Sequence, residues 1–229
     1  RSGNLTYAGK IEGPGSVTNA GPGIVSLTGA STLTGPVTVT AGTLRINNPG
    51  SLPATTTVTV KSGATIGGTG TIGAPVTVEA GGFLAPGASV GTLTVNNTVS
   101  LSGTSVMEVS RDSGSAASDL LTGVTTLNYG GDLIVTNIGI TSLRSGDSFN
   151  LFDAVTINPG FANVNLPPLL PGLTWNNNLN ADGTLNITGT VIPPQFTSKV
   201  VAGDTLTMSG SGGVAGGSYY VLTSPDVAA

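Results

Sequence analysis

The sequence predicts an all-β fold, a right-handed parallel β-helix (a β-solenoid) followed by a short C-terminal β segment. Its composition is rich in turn formers, with 36 Gly and 14 Pro among 229 residues, while charged residues make up only 8%. A mean hydropathy of +0.29 together with so little charge argues against disorder. Valine-rich segments also recur about every 20 residues, which is typical of a solenoid in which each repeat forms one coil.

The repeated segment is Val-Thr-Val, followed by a glycine a few residues later. Its copies lie at 37–39, 58–60 and 76–78, with a looser copy, Leu-Thr-Val, at 93–95. The last valines of successive copies are 21, 18 and 17 residues apart. Because side chains alternate along a strand, the valines are predicted to point inwards and the threonines outwards. In this alignment Lys61 and Glu79 occupy the same outward position on neighbouring rungs, roughly 4.8 Å apart, and form an exposed ion pair.

The stretch 67–73, Gly-Gly-Thr-Gly-Thr-Ile-Gly, matches the dinucleotide-binding fingerprint in its letters. That fingerprint requires a following helix and an acidic residue about 20 residues later. Here another strand-like segment follows, and no carboxylate occurs between Gly81 and Val95. The stretch also resembles the start of a calcium-binding β-roll repeat, which requires Asp where Ile72 stands.

These glycines are therefore predicted to be corner residues between two rungs, where the chain turns and no Cβ fits. They are Gly67, Gly68, Gly70 and Gly73. Ile66 and Ile72 then fill the core, while Thr69 and Thr71 face outwards.

Residues 10–46 resemble the passenger-associated repeat of bacterial autotransporters, through their succession of Leu-Thr-Gly-Ala, Val-Thr-Val and Ala-Gly-Thr-Leu. Segments 118–135, 145–154 and 170–189 are similar to the C-terminal part of such secreted proteins. The resemblance covers most of 10–191 and implies a parallel β-helix that is secreted or held at the cell surface. It implies no particular activity, because function lies in sites carried by a fold.

The pattern divides the chain into a solenoid over 1–191 and a C-terminal segment. Regular coils are expected to about residue 107, a projecting loop over 108–119 and a wider, less regular β region over 120–191. A double-proline hinge at 192–195 leads to a C-terminal β segment, 196–229, which resembles an incomplete β-sandwich with about three strands. Since so few strands are unstable alone, either the rest of the module is disordered or cleaved away, or a neighbouring molecule completes the sheet, with Tyr219 and Tyr220 on the candidate assembly strand.

The residue types exclude several function classes. The chain has no His and no Cys, which excludes Ser-His-Asp triads, disulfides and most zinc sites. A net charge of −4 without a basic run gives no support for nucleic-acid binding. The sequence contains no run of 18 apolar residues, so no membrane span is predicted. No cofactor or metal site is predicted, and the protein is expected not to be an enzyme.

The alternative is a carbohydrate-binding or carbohydrate-degrading β-helix. Asp147 and Asp153, with Arg144 nearby, are candidates for the acid and base of a glycosidase. Against this, Asp147 lies in a Ser-Gly-Asp turn and Asp153 is expected to end a strand, which are structural positions. Trp175, followed by three asparagines, is a possible contact for a sugar ring or a cap on the wide end of the core.

The sequence thus predicts a non-enzymatic extracellular stalk, adhesin or fibre subunit. Its expected partners are further copies of itself, through head-to-tail contacts of the solenoid ends or through C-terminal strand addition, and surface glycans.

Overall fold

A computed structural model describes residues 3–212 of the chain. The first strands are β1 (Leu5–Tyr7), β2 (Glu12–Gly13), β3 (Val17–Asn19), β4 (Ile24–Leu27), β5 (Thr32–Leu33), β6 (Val37–Val39), β7 (Gly42–Ile46), β8 (Ser51–Leu52), β9 (Val58–Val60), β10 (Ala64–Gly68), β11 (Thr71–Ile72), β12 (Val76–Val78), β13 (Phe83–Pro86), β14 (Thr92–Val95) and β15 (Val99–Leu101). They are followed by β16 (Thr104–Ser110), β17 (Ala117–Ser118), β18 (Leu120–Asn128), β19 (Asp132–Asn137), β20 (Ser148–Asn150), β21 (Phe152–Asn158), β22 (Asn163–Asn165), β23 (Leu173–Asn178), helix α1 (Leu179–Asp182), β24 (Thr184–Gly189), β25 (Gln195–Ala202) and β26 (Thr205–Ser211).

Two long parallel sheets run along the molecule. Sheet 1 has the order β1-β4-β7-β10-β13-β16-β19-β22, with β17 antiparallel to β16. Sheet 2 has the order β3-β6-β9-β12-β15-β18-β14-β11-β8, with β21 also paired to β18. Each regular coil contributes one strand to sheet 1. The first two coils contribute β3 and β6 to sheet 2 and pair β2 with β5 in a separate two-stranded parallel sheet, whereas each later regular coil contributes two strands to sheet 2. The predicted parallel β-helix is confirmed.

The interior of the regular coils is built by the alternation of valine and threonine. Val39, Val60 and Val78 are paired in register on successive rungs, and each is 0% exposed. The threonines between the valines face outwards. Ile66 and Ile72 are also fully buried, while Thr69 is exposed. The sequence alignment of the first three copies is therefore correct.

The fourth copy in that alignment is wrong. Val78 pairs with Leu101 in β15, whereas Val95 pairs with Ile72 in β11. Leu93–Val95 thus lies on a different side of the coil from the other Val-Thr-Val segments. The error arises because the Pro-Gly loop after β13 lengthens this coil, which leaves β14 in the position that the shorter coils give to β8 and β11.

The corner between β10 and β11 contains Gly68 and Gly70. Gly68 has a φ of +105°, and a Cβ there would stand 2.2 Å from the Ile46 carbonyl oxygen. Gly73 follows β11 at the next bend. Gly67, in contrast, is not a corner residue: it lies inside β10 and pairs with Ala85, whose carbonyl oxygen would be 1.9 Å from an added Cβ.

The coil widens at β18, a strand of nine residues. Its first part pairs with β14 and its last part with β15, so one continuous strand replaces two strands and the corner between them. A register shift toward β21 occurs between Leu121 and Val124, where Gly123 has a φ of +77°.

The predicted loop over 108–119 is shorter in the structure. β16 continues to Ser110 and pairs antiparallel with β17, so that residues 111–116 form the tip of a hairpin. Both ends of the polar stretch that interrupts the repeat therefore lie in strands, which the composition alone does not indicate.

A three-stranded antiparallel sheet, β20-β24-β23, lies after the wide coils. Phe149, Leu185 and Ile187 from these strands are buried in the common core. The four-residue helix α1 was not predicted. It ends at Asp182 and is capped by Gly183, whose φ of +78° is left-handed.

Beyond the two prolines, β25 and β26 form an antiparallel hairpin. β25 begins at Gln195, inside the predicted hinge, and all of its residues are exposed. Tyr219 and Tyr220, the candidate assembly residues, lie outside the described residues.

Candidate functional site

The outer face of sheet 2 carries a continuous row of polar, uncharged side chains. Thr59 lies opposite Thr77, and Thr77 lies opposite Ser100 on the next rung. Members of this row are Thr18, Thr38, Thr59, Thr77, Ser100, Asn128 and Asn158. At the wide end the amides bond along the row, since Asn158 Nδ2 donates to Asn128 Oδ1 at 2.7 Å. The solenoid therefore presents a hydrogen-bonding surface along this row.

Lys61 and Glu79 lie beside this row. The Lys61 ammonium contacts the Glu79 carboxylate across one rung step, as the alignment of the repeats places them. Both side chains are exposed, so the pair contributes about 0–1 kcal/mol to stability.

Asp147 lies in a different environment from the one that a catalytic carboxylate needs. Its Oδ1 accepts a 2.7 Å bond from Arg111 Nε, and its Oδ2 accepts a 2.9 Å bond from the backbone N–H of Arg144. The Arg111 and Asp147 side chains are 8% and 5% exposed. Asp147 therefore holds a buried ion pair between the 111–116 hairpin and the turn that precedes β20.

Asp153 lies near the start of β21 rather than at the end of a strand, which corrects the sequence prediction. Its Oδ2 accepts a 2.7 Å bond from Thr122 Oγ1 on the exposed surface. Asp147 and Asp153 thus have separate structural partners, and no bond joins the two carboxylates.

Asp112 fixes the other side of the hairpin. Its carboxylate accepts the backbone N–H groups of Ile140 at 3.1 Å and Thr141 at 2.8 Å. Both bonds lower the pKa of Asp112 below its usual value, and the bond from Thr141 has the larger effect. The hairpin is therefore attached to the segment 138–147 at two points, through Asp112 and through Arg111.

Asp119 is a buried carboxylate that bridges two coils. It accepts the backbone N–H of Gly91 on Oδ1 and that of Glu108 on Oδ2, both at 2.8 Å, and it is 1% exposed. Burial raises the pKa of Asp119 to about 7, although the two N–H bonds oppose the rise. A carboxyl group with a strongly shifted pKa is often part of a functional site. Here both oxygens accept backbone N–H groups, which indicates a structural role.

Trp175 lies in β23 and is half-buried. Its Nε1 donates to the Pro167 carbonyl oxygen at 2.9 Å, and its ring centroid is 5.9 Å from that of Phe149. The indole therefore contributes to the cap over the wide end of the core. Contact with a ligand stays a prediction for this residue.

No group of three or more acidic residues that would hold a metal ion occurs within residues 3–212. In the same range, no helix is long and apolar enough to cross a membrane.

An 84-residue part of the chain is 49% identical to the adhesin BmaC autotransporter of Brucella suis biovar 1 (strain 1330). The resemblance to autotransporter passengers is confirmed. The matched part is 37% of this chain, and it spans only about 2% of the length of that adhesin. No family model matches the chain.

Sequence reasoning missed Arg111 and Asp119. In a chain with only 7 cationic and 11 acidic residues, each charge is informative. Both lie in the polar stretch that interrupts the repeat, for which the sequence predicts a projecting loop. The available signal was therefore the clustering of Arg111, Asp112 and Asp119 where the apolar repeat stops.

Proposed function

We propose that the chain is part of a non-enzymatic, extracellular adhesin held at or released from a bacterial surface. The similarity to an adhesin autotransporter carries this proposal. The parallel β-helix supports it, because a stack of coils displays long continuous faces on a rigid support.

Adhesion of beads tests the proposed role. Beads coated with the purified chain should attach to cultured animal cells several-fold more often than beads coated with heat-unfolded chain. The folded and unfolded coats share composition and charge, so a difference reports the displayed surface. Equal attachment of both kinds of bead, across several cell types, would contradict the proposal.

The carbohydrate-degrading alternative requires two carboxylates that are free to exchange protons. Asp147 is bonded on both oxygens and Asp153 is bonded to Thr122, which favours the non-enzymatic function.

The exposed hairpin supports a second proposal, self-association by strand addition. Phe196, Val200 and Val201 are 64%, 58% and 70% exposed, and a two-stranded sheet is at best marginally stable in water. A second copy that pairs with β25 or β26 would cover these side chains. Head-to-tail contact of the solenoid ends stays a prediction from the sequence.

Sedimentation of the intact chain tests self-association. Assembly is expected to grow with concentration and to disappear in the double variant Val200→Lys, Val201→Lys. The matched control is Val155→Lys, since Val155 is 89% exposed on β21, away from the hairpin. A chain that stays monomeric at high concentration, or assembly that survives the double variant, would refute strand addition.

A further inference from the structure

An open pocket of about 380 Å³ lies between the 111–116 hairpin and the 144–147 turn. Its size is within the roughly 300–1,000 Å³ of small-molecule sites. Two arginines, Arg111 and Arg144, line it together with Ser115 and Ser145. The pocket thus gathers two of the chain's seven cationic residues beside two hydroxyl groups.

Arg111 is held rigidly at the wall of this pocket. Its Nε donates to Asp147, and its Nη2 lies 3.5 Å from the Gly114 carbonyl oxygen. These two contacts use the Nε–H group and one of the two Nη2 N–H groups, and the other three guanidinium N–H groups have no hydrogen-bond partner within the described part of the chain. Asp147 therefore orients Arg111, and both of its own oxygens are already occupied.

Arg144 supplies a charge that the described residues do not neutralise. Only its backbone groups take part in hydrogen bonds, and its side chain is exposed. Because Arg111 and Asp147 cancel each other, Arg144 leaves the pocket with a net positive charge.

Both walls of the pocket are fixed before any ligand arrives. The bonds of Asp112 to the Ile140 and Thr141 N–H groups fasten the hairpin on one side, and the Arg111–Asp147 pair fastens it on the other. A preorganised site loses little conformational entropy when it binds.

We propose that this pocket binds the carboxylate of an acidic sugar, such as a uronic acid unit of a surface polysaccharide. Planar guanidinium groups pair with planar carboxylates through parallel hydrogen bonds. The hydroxyls of Ser115 and Ser145 suit the hydroxyls of the same sugar. This inference rests on the proposed adhesin-like function and names a ligand class for it.

Binding of polygalacturonate to the intact chain tests the inference, with dextran as the uncharged polymer. The chain should bind polygalacturonate and not dextran, and added salt should weaken the binding. Arg144→Gln should weaken it about tenfold or more, because a hydrogen bond to a charged group is lost. Its melting temperature should stay unchanged, since the side chain is exposed.

Arg45→Gln is the matched control, because it removes the same guanidinium charge from a position on β7 that does not line this pocket. Its affinity should stay within twofold of the unsubstituted chain. Equal weakening by the two variants would show that the loss of binding follows from net charge alone, and it would refute the proposed site. So would the absence of polygalacturonate binding, or tighter binding of an acidic peptide. If coated beads still adhere in any of these cases, the adhesin-like function survives without this site.

Discussion

Between Val37 and Leu101 every buried hydrophobic side chain is aliphatic, whereas between Leu120 and Gly189 the core also contains Tyr129, Phe149 and Phe152. All four aromatic contacts of the described residues lie in the second region, with Tyr129 and Phe161 stacked at 4.2 Å. The narrow coils are filled by Val, Leu, Ile and Ala side chains. Where β18 straightens a corner and the coil widens, larger side chains are needed to fill the interior.

Buried charges divide the two regions in the same way. Arg111, Asp119 and Asp147 are the buried charged residues of the described chain, and all of them follow the regular coils. In the regular coils the backbone groups bond to neighbouring rungs. In the wide region, carboxylates bind the backbone N–H groups that loops leave unpaired. The regular coils therefore depend on packing, and the wide region depends on aspartate contacts in addition to packing.

The largest expected effect is that of Asp147→Asn. Removing the carboxylate leaves the Arg111 charge buried without its partner, which costs about 3–5 kcal/mol of unfolding free energy. Urea unfolding measures the loss, with Asp153→Asn as an exposed control of small effect. The double variant Arg111→Met, Asp147→Leu should recover most of the stability, because both charges are gone. A double variant as unstable as Asp147→Asn would show that the pair is not the cause.

A smaller effect is expected from the titration of Asp119. Burial raises the pKa of Asp119 to about 7 in the folded chain, while in the unfolded chain the pKa keeps its ordinary value of 3.8. The folded state therefore binds a proton that the unfolded state does not, and stability rises as the pH falls. Between about pH 8 and pH 6 the gain is about 1 kcal/mol.

Thermal unfolding across this pH range measures the gain, and Asp119→Asn should remove it. A stability that falls with decreasing pH would mean that the Gly91 and Glu108 N–H bonds keep the carboxylate ionised.

The smallest effect is expected in the regular coils. Lys61→Ala should lower the unfolding free energy by no more than about 1 kcal/mol, since the ion pair with Glu79 is exposed and screened. Glu79→Ala should behave alike, and the double variant should add nothing further. A loss above about 2 kcal/mol from either change would show that charge contributes substantially to the stability of the regular coils. That result would contradict the difference between the two regions.

The sequence predicts the regular coils well. Apolar side chains alternate with a period of two along each strand, and the segments repeat about every 20 residues, so only one register of strand pairing fits both periods. It fails at Val95, since a three-residue match to the repeat carries no information on the length of the coil. It places Gly67 at a corner because glycine is used both for positive φ, as at Gly68, and for close backbone contact inside a strand. The Arg111–Asp147 pair joins residues far apart in sequence, and no local pattern indicates such a partner.

Hydrogen–deuterium exchange of the intact chain and its Asp147→Asn variant tests most directly whether the two regions are held separately. In a solenoid each coil contacts only its neighbours, so loss of a distant contact need not spread. The amides of β9 and β12 should stay in the slowest class in both proteins, while those of β20 and β24 should exchange much faster in the variant. Equal loss of protection in both regions would contradict the account, because it would show one cooperative unit held by the same contacts throughout.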